Sequence, residues 1–170
     1  LFLIHRSRGM HKTAMQDLER ARSIAPDNER VLQAYLEYLA ARDKEEAVNM
    51  REKLATKEPE DTDNLRKLAL LYTAVDRDDE ARELIDRLLS DHPDDLRIIA
   101  AAAHFEKEQG NFAKGRKLIE EYVQKKGDEA KLADWLALGR YLASGDLLQP
   151  AIECYQKAME LEDPTQQEAT

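Results

Sequence analysis

The sequence predicts an all-α protein, a solenoid of antiparallel helix pairs, and three observations support this fold class. Charged residues make up 36% of the chain and aromatic residues 6%, with six Gly and five Pro, a composition typical of long helices with solvated outer faces. No segment alternates apolar and polar residues with the period of two that indicates a half-buried strand. The sequence also repeats at intervals of 33 to 36 residues, and such periods indicate a stack of repeats.

The repeat is visible in two independent series of residues. Pro26, Pro59 and Pro93 are 33 and 34 residues apart, and Gly127 follows after another 34. A series of small residues keeps the same period, with steps of 33, 34, 34 and 36, at Ala14, Ala47, Ala81, Gly115 and Ala151. Because two residue types share one period, we divide the chain into a single array of repeats at about 1–26, 27–59, 60–93, 94–127 and 128–164.

Each repeat is predicted as a helix, a short turn and a second helix. The turns contain RGMHK, RDKE, DRDD, QGNF and SGDL, where Gly or Asp provides the special backbone angles or the cap. Pro ends a repeat because it lacks an N–H and cannot continue a helix. PDN, PEDTD and PDD then offer Asp or Asn as the next N-cap. The pattern predicts helices at about 12–24, 29–41, 45–57, 62–75, 79–91, 96–108, 112–125, 130–143 and 149–161.

The two ends of the chain are expected to differ from the central repeats. Counting back from Pro26 places Leu1 well inside a first helix, so LFLI is interpreted as the end of a packed helix rather than the remnant of a signal or transmembrane segment. The first repeat is therefore expected to be truncated, and the chain to be an excerpt of about four and a half repeats from a longer solenoid. After Pro164, residues 165–170 form a polar tail that is expected to be frayed or a linker.

The net charge and the single cysteine limit the functions that this chain is expected to have. A formal charge of −9 makes binding to nucleic acid or to anionic lipid a poor default, and no apolar run approaches the length that spans a membrane. One cysteine excludes an internal disulfide and leaves a cytoplasmic or periplasmic location open. Because no basic or metal-binding residue surrounds Cys154, we interpret it as a packing thiol.

The sequence contains no recognisable catalytic or metal-binding motif. It has no phosphate-cradling Gly loop and no Ser-centred elbow. The four histidines have no second His or Cys three or four residues away; they are His5, His11, His92 and His104. The 35 acidic residues make carboxylate pairs uninformative, so we interpret these pairs as solvated faces. The chain is expected to be no enzyme and to need no cofactor.

The residues within the repeats resemble the tetratricopeptide repeat family. In that family the first helix carries a large residue, Leu, a small residue and an aromatic, and the second carries Ala, an aromatic, Ala and a closing Pro. The last repeat fits best, with Trp135, Leu138, Gly139, Leu142, Ala151, Tyr155 and Ala158. Arg51 and Glu106 depart from the pattern, because each stands where the family has an aromatic. The resemblance covers almost the whole chain and implies a right-handed superhelix with a continuous core.

The resemblance also implies a binding surface, because the first helices of such arrays line a concave groove for a peptide or a partner helix. Positions i, i+3, i+7 and i+10 of each first helix face away from the packing stripe. Six of the eighteen positions are basic and two acidic, so the groove is near +4 and the rest of the chain near −13, given a total of −9. The predicted positions are Leu3, Arg6, Arg30, Gln33, Glu37, Ala40, Asp63, Arg66, Leu70, Thr73, Arg97, Ala100, His104, Lys107, Ala133, Leu136, Arg140 and Ala143.

These features predict a non-catalytic scaffold that binds an acidic extended or helical protein segment in the groove. The expected basic anchors and apolar contacts are Arg66, Arg97, His104, Arg140, Leu70 and Leu136. Members of the family that clamp a C-terminal carboxylate use Asn and Lys on the first helix. The i+7 positions here argue against such a chaperone-tail adaptor, since they hold Glu37, Leu70, His104 and Arg140.

Other interpretations stay open. The groove charges could have arisen by chance or could pair with acids on the second helices. The chain could be a spacer or assembly segment, for example of a bacterial envelope assembly or export machine, with contacts such as oligomerisation made by the ends of the array. It could also be the regulatory part of an enzyme whose catalytic domain lies outside this chain. Neither nucleic acid nor direct membrane insertion is expected.

Overall fold

The structure is a computed structural model that describes residues 11–25 and 28–162. Within these ranges the chain forms nine α-helices, one short 3₁₀ helix at Gly127–Glu129 and no strand. The helices are α1 (His11–Ile24), α2 (Glu29–Ala40), α3 (Lys44–Lys57), α4 (Thr62–Ala74), α5 (Asp78–Asp91), α6 (Leu96–Glu108), α7 (Phe112–Lys126), α8 (Leu132–Ala143) and α9 (Leu148–Glu162). The predicted helices are confirmed, and no boundary differs by more than two residues.

Several predictions for the ends of the chain lie outside the described residues. These are the truncated helix containing Leu1, the groove positions Leu3 and Arg6, the stop at Pro26, and the polar tail after Pro164. In the part of the chain that the structure describes, no helix is both long enough and apolar enough to cross a bilayer.

The chain divides into two compact units, residues 1–77 and 78–170. In the first unit, each described helix packs against the next, from α1 to α4. The second unit follows the same rule from α5 to α9. Because the connecting loops are short, successive helices run antiparallel, and the predicted all-α fold of antiparallel helix pairs is confirmed.

Side-chain caps determine where several helices begin. The carboxylates of Asp43 and Asp61 each accept a hydrogen bond at 3.0 Å from the backbone N–H three residues later. Asn28 caps α2 in the same way at 3.2 Å, and Asp95 accepts from the N–H of Arg97 at 2.8 Å. These contacts satisfy backbone donors that have no partner within the helix. The loop residues proposed as N-caps from the sequence therefore act as caps.

The small residues of the repeat series lie where helices approach each other closely. Ala14, Ala47 and Ala81 have no exposed surface, and Gly115 and Ala151 are also buried. A Cβ at Gly115 would overlap the hydroxyl of Tyr141 and the carbonyl oxygen of Ala103. This series in the sequence therefore reports helix packing, because any larger side chain would force the helices apart.

The larger side chains fill the interior of each unit. In the first unit, the buried Tyr72 donates a hydrogen bond from its hydroxyl to the carboxylate of Glu52 at 2.9 Å, which ties α4 to α3. In the second unit, Phe105 and Ile119 are each 1% exposed. Trp135 packs against this core but remains partly exposed, with the ammonium of Lys157 above its ring at 4.3 Å. Trp135, the large residue of the family pattern in the last repeat, therefore lies at the edge of the core.

Candidate protein-binding faces

In the first unit, the predicted groove residues lie on α2 and α4. Arg30 and Glu37 are exposed, whereas Gln33, Arg66 and Leu70 are partly buried. We call these five residues the first face.

Thr73, which the sequence pattern assigned to the groove, does not belong to the first face. It is 7% exposed, and its hydroxyl donates a hydrogen bond to the carbonyl oxygen of Ala69 at 3.0 Å. A threonine in a helix can satisfy its hydroxyl in this way on the preceding turn. Its side chain is consequently not available to a partner.

The first unit contains a concave pocket of about 370 Å³. Three predicted groove residues contribute to it, namely Glu37 and Ala40 from α2 and Leu70 from α4. The full lining is Glu37, Ala40, Arg51, Lys67, Leu70 and Leu71. The first helices of two successive repeats therefore bring their predicted positions together on a concave surface, and α3 contributes Arg51, which the groove pattern did not include.

The positive charges on α4 share one carboxylate. Arg66 Nη2 and Lys67 Nζ lie 2.8 and 2.6 Å from the carboxylate oxygens of Asp63. Burial would raise the pKa of Asp63, but hydrogen bonds from Lys67 and Arg66 outweigh it and lower this pKa to about 2. Arg66 therefore pairs with a carboxylate of its own helix, which is the first helix of a repeat, rather than with an acid on the second helix of a repeat.

In the second unit, the predicted residues lie on α6 and α8, and we call them the second face. Arg97, His104 and Arg140 are exposed, whereas Lys107 and Leu136 are partly buried. Exposed basic side chains on a first helix can meet carboxylates of a partner.

Part of the positive charge of the second face is neutralised by an ion pair at the start of α6. The guanidinium of Arg97 donates from Nε and Nη2 to the two carboxylate oxygens of Asp95, at 3.2 and 2.8 Å. These hydrogen bonds lower the pKa of Asp95 below its usual value. His104 is 3.9 Å from the carboxylate of Glu108, a distance too long for a hydrogen bond.

Glu106, one of the two departures from the family pattern, is a buried residue whose polar partners are themselves exposed. The residue is 5% exposed, and its carboxylate accepts hydrogen bonds from Lys114 Nζ at 2.6 Å and Asn111 Nδ2 at 3.2 Å. Arg82 Nη1 lies 3.6 Å away, and its guanidinium covers the ring of Phe105. Burial would raise the pKa of Glu106, but the Lys114 and Asn111 hydrogen bonds and the nearby positive charges lower it overall.

Other buried titratable groups of the second unit are held in their protonated forms. Burial, together with the hydrogen bond that the Tyr122 hydroxyl donates to Asp134 at 3.1 Å, raises the pKa of Tyr122 to about 12. Burial also raises the pKa of the Cys154 thiol, which is 6% exposed. Cys154 is therefore a packing thiol, as the sequence predicted. Among the described residues, no group of three or more His, Cys, Asp or Glu is arranged to hold a metal ion.

Comparison with known proteins agrees with this architecture. Residues 38–105 match the family model described as tetratricopeptide repeat. A thermophilic tetratricopeptide repeat protein from Thermus thermophilus superposes with a TM-score of 0.67 at 17% identity, covering 95% of this chain and 88% of that one. A tetratricopeptide repeat protein from Parabacteroides merdae gives 0.60 at 18%, covering 95% and 76%. MamA gives 0.56 at 14%, covering 98% and 97%. No curated protein matches the chain.

The family predicted from the sequence, the tetratricopeptide repeat, is matched by the family model over residues 38–105 and agrees with the fold. Proteins of this class are protein-interaction scaffolds and are generally non-catalytic. At identities of 14 to 18%, the likeness to these structures concerns the fold alone. What this chain binds must therefore be argued from its own faces.

Proposed function

We propose that this chain is a non-catalytic scaffold that binds an acidic extended or helical segment of a partner protein through its first-helix faces. One observation carries this proposal: Glu37, Ala40 and Leu70, which the repeat register assigns to the groove, line a single concave pocket of the first unit. A concave site with apolar walls and a few charged groups is the usual form of a binding site.

The balance of charge supports an acidic partner. The second face has three basic residues, Arg97, Lys107 and Arg140. The carboxylate of Asp95, at the start of α6, neutralises one of these charges, although the chain as a whole has a net charge of −9. On the first face, the exposed Arg30 and Glu37 have opposite charges, and Arg66 and Lys67 together carry one more charge than Asp63 neutralises, which leaves a net charge of +1. Local positive potential on an acidic chain favours acidic segments and repels most other surfaces.

The test begins with a partner captured from the native source. Its affinity is expected to fall as salt rises, because screening weakens exposed charge pairs. The double variant Arg30→Glu and Arg140→Glu is expected to reduce binding at least tenfold while leaving the helix content unchanged, since both side chains are exposed. Unchanged affinity in this variant would exclude the two faces as the binding surface.

Lys117→Glu is the matched control for these reversals. Lys117 is 73% exposed on α7, a second helix, and its ion pair with Glu121 is at the surface. Arg82, an exposed arginine on the second helix α5, is less suitable because it contacts Glu106 and Phe105.

A role as an assembly segment is the second candidate, and the last helix favours it. Four large apolar residues of α9 are 45 to 67% exposed: Leu148, Ile152, Met159 and Leu161. Leu148, Ile152 and Met159 share one side of the helix, at spacings of four and seven residues, and such a face can stack on another helix pair. The test is sedimentation over a range of protein concentrations with Ile152→Glu and Met159→Glu. A wild-type chain that stays monomeric throughout would exclude self-assembly through this face.

A further inference from the structure

Three buried side-chain polar atoms of the described residues have no hydrogen-bond partner, and all belong to the first unit. They are Gln33 Oε1 on α2, Arg51 Nε on α3 and Arg66 Nε on α4. Buried polar atoms are nearly always hydrogen-bonded, so each exception needs an explanation. Of the three residues, Arg51 lines the pocket, which suggests that the missing partner of its Nε comes from a ligand.

Arg51 is the most buried of these residues. It is 2% exposed and lines the pocket. Its Nη1 donates to Asn64 Oδ1 at 3.0 Å, and Asn64 Nδ2 donates to the backbone oxygen of Arg51 at 3.1 Å. These two bonds hold the guanidinium in a fixed position. The Nε donor, however, is left without an acceptor.

The charge of Arg51 is also uncompensated at close range. None of the ion pairs formed among the described residues includes Arg51. Burial lowers the pKa of its guanidinium, and the more distant carboxylates of Asp63 and Asp61 oppose this shift. A buried cation without a carboxylate partner reduces stability. Such a residue is better explained by a bound anion than by the stability of the fold.

We infer that Arg51 binds the side-chain carboxylate of an Asp or Glu in the partner segment, while Ala40, Leu70 and Leu71 hold a neighbouring apolar side chain. This inference rests on the proposed function and adds to it the residue that selects the ligand. A guanidinium forms charge-assisted hydrogen bonds with carboxylates in a fixed geometry. Pockets for whole small ligands measure roughly 300–1,000 Å³, so about 370 Å³ suits one or two side chains.

The other charged residues of the pocket favour a single carboxylate over a cluster. Lys67 is already paired with Asp63 at 2.6 Å, and Glu37, which also lines the pocket, repels further negative charge. The expected motif is therefore one acidic residue beside an apolar residue. Arg51 lies on the second helix of its repeat, apart from the first-helix positions considered for a terminal carboxylate.

The experiment selects random peptides, displayed on phage, against the wild-type chain and against the double variant Arg51→Met, Asn64→Leu. The double variant removes both partners of the buried hydrogen bond, so neither is left unsatisfied. Wild type is expected to enrich peptides with an acidic residue next to an apolar one. The double variant is expected to retain the apolar preference and lose the acidic one. Arg42→Met is the matched control, because Arg42 is exposed in the turn before α3.

The most strongly enriched peptide is then measured by fluorescence anisotropy, together with its version in which the acidic residue is replaced by the corresponding amide. The wild-type chain is expected to bind the amide version about 10- to 100-fold more weakly, as for a lost charge-assisted hydrogen bond. The double variant is expected to bind both peptides equally. Arg51→Lys, which keeps the charge and lacks the Nε donor, is expected to discriminate less than wild type and serves if the double variant does not fold.

The possible outcomes separate the two proposals. If both proteins enrich the same acidic peptides, Arg51 is not the selecting residue, and the proposed function still stands. If wild type enriches no acidic peptide, the proposed function fails together with this inference. Discrimination by Arg51→Lys equal to that of wild type would assign the effect to charge alone and overturn the role of the Nε donor.

Discussion

Arg51 in the first unit and Glu106 in the second make an instructive comparison. Both are charged residues where the family pattern has an aromatic, and both are at most 5% exposed. Glu106 has hydrogen bonds from Lys114 and Asn111 and a nearby Arg82. Arg51 has one amide partner and an unsatisfied Nε in a pocket. The local hydrogen bonds therefore account for Glu106 as a structural residue and leave Arg51 unexplained by the fold, which is the difference on which the ligand proposal rests.

Glu106→Ala is expected to have the largest effect on stability. Removing the carboxylate leaves Asn111 and Lys114 without their acceptor and should lower the free energy of unfolding by about 2–3 kcal/mol. A larger loss is not expected, because Lys114 and Arg82 are partly exposed and can be hydrated. Urea unfolding followed by circular dichroism measures the change. Glu121→Ala, at an exposed position on the same unit, should change it by less than about 0.5 kcal/mol.

Arg51→Met is expected to have a smaller effect of about 1 kcal/mol. The variant leaves the buried Oδ1 of Asn64 without its donor, which destabilises the chain, but it also removes an uncompensated charge. Hydrogen exchange of the α3 amides would localise the change to the first unit. A loss as large as that of Glu106→Ala would mean that Arg51, too, is required for folding, and the comparison would no longer hold.

The pH dependence of stability is a further test of the structural role of Glu106. The pKa of Glu106 is lowered in the folded state, and that of Asp63 is lowered to about 2. A carboxyl with a lowered folded pKa contributes stability above its unfolded pKa and loses it as the pH falls towards the folded value. Urea midpoints should therefore be level from pH 7 to about 5 and fall below about 4.5. Glu106→Gln should flatten this fall, whereas a slope equal to that of wild type would show that other carboxylates cause it.

The double variant Arg51→Met, Asn64→Leu is expected to have the smallest effect on stability. Replacing both partners of a buried polar pair by apolar residues of similar size is often neutral or stabilising, so the change should lie within about 0.5 kcal/mol of zero. The same urea measurement applies. A loss above about 2 kcal/mol would assign Arg51 a structural role and weaken the case for a ligand.

Much of the fold was predictable because Pro, Gly and N-cap residues act locally. Asp43 and Asp61 cap the helices that follow them, and this chemistry depends on neighbours in the sequence. The exposure of individual side chains was harder to predict. Trp135, which fits the family pattern in the last repeat, lies at the edge of the core. Its exposure depends on how the neighbouring helices are placed, which spacing does not determine.

The candidate site was predictable in part for a similar reason. The helical period assigned Glu37 and Leu70 to the groove, and both residues line the pocket. The same period assigned Thr73 to the groove, but Thr73 is buried on α4, whereas Ala40, at the corresponding i+10 position of α2, lines the pocket. Arg51 was visible only as a departure from the pattern. Its unsatisfied donor is a property of three helices packed together, and no sequence signal reports it.

The turns between first and second helices carry a further consequence, for the modular exchange of repeats. Asp76, Gly110 and Asp146 have positive φ angles of 58°, 77° and 59°, and the next residue donates its N–H to a carbonyl five residues earlier in each case. This left-handed joint closes a helix. Because the three turns share one geometry, a repeat that is excised and reinserted at these residues would have the same backbone conformation at both of its junctions. Arg42 in the earlier turn bonds to Leu39 instead, so a repeat excised there would not.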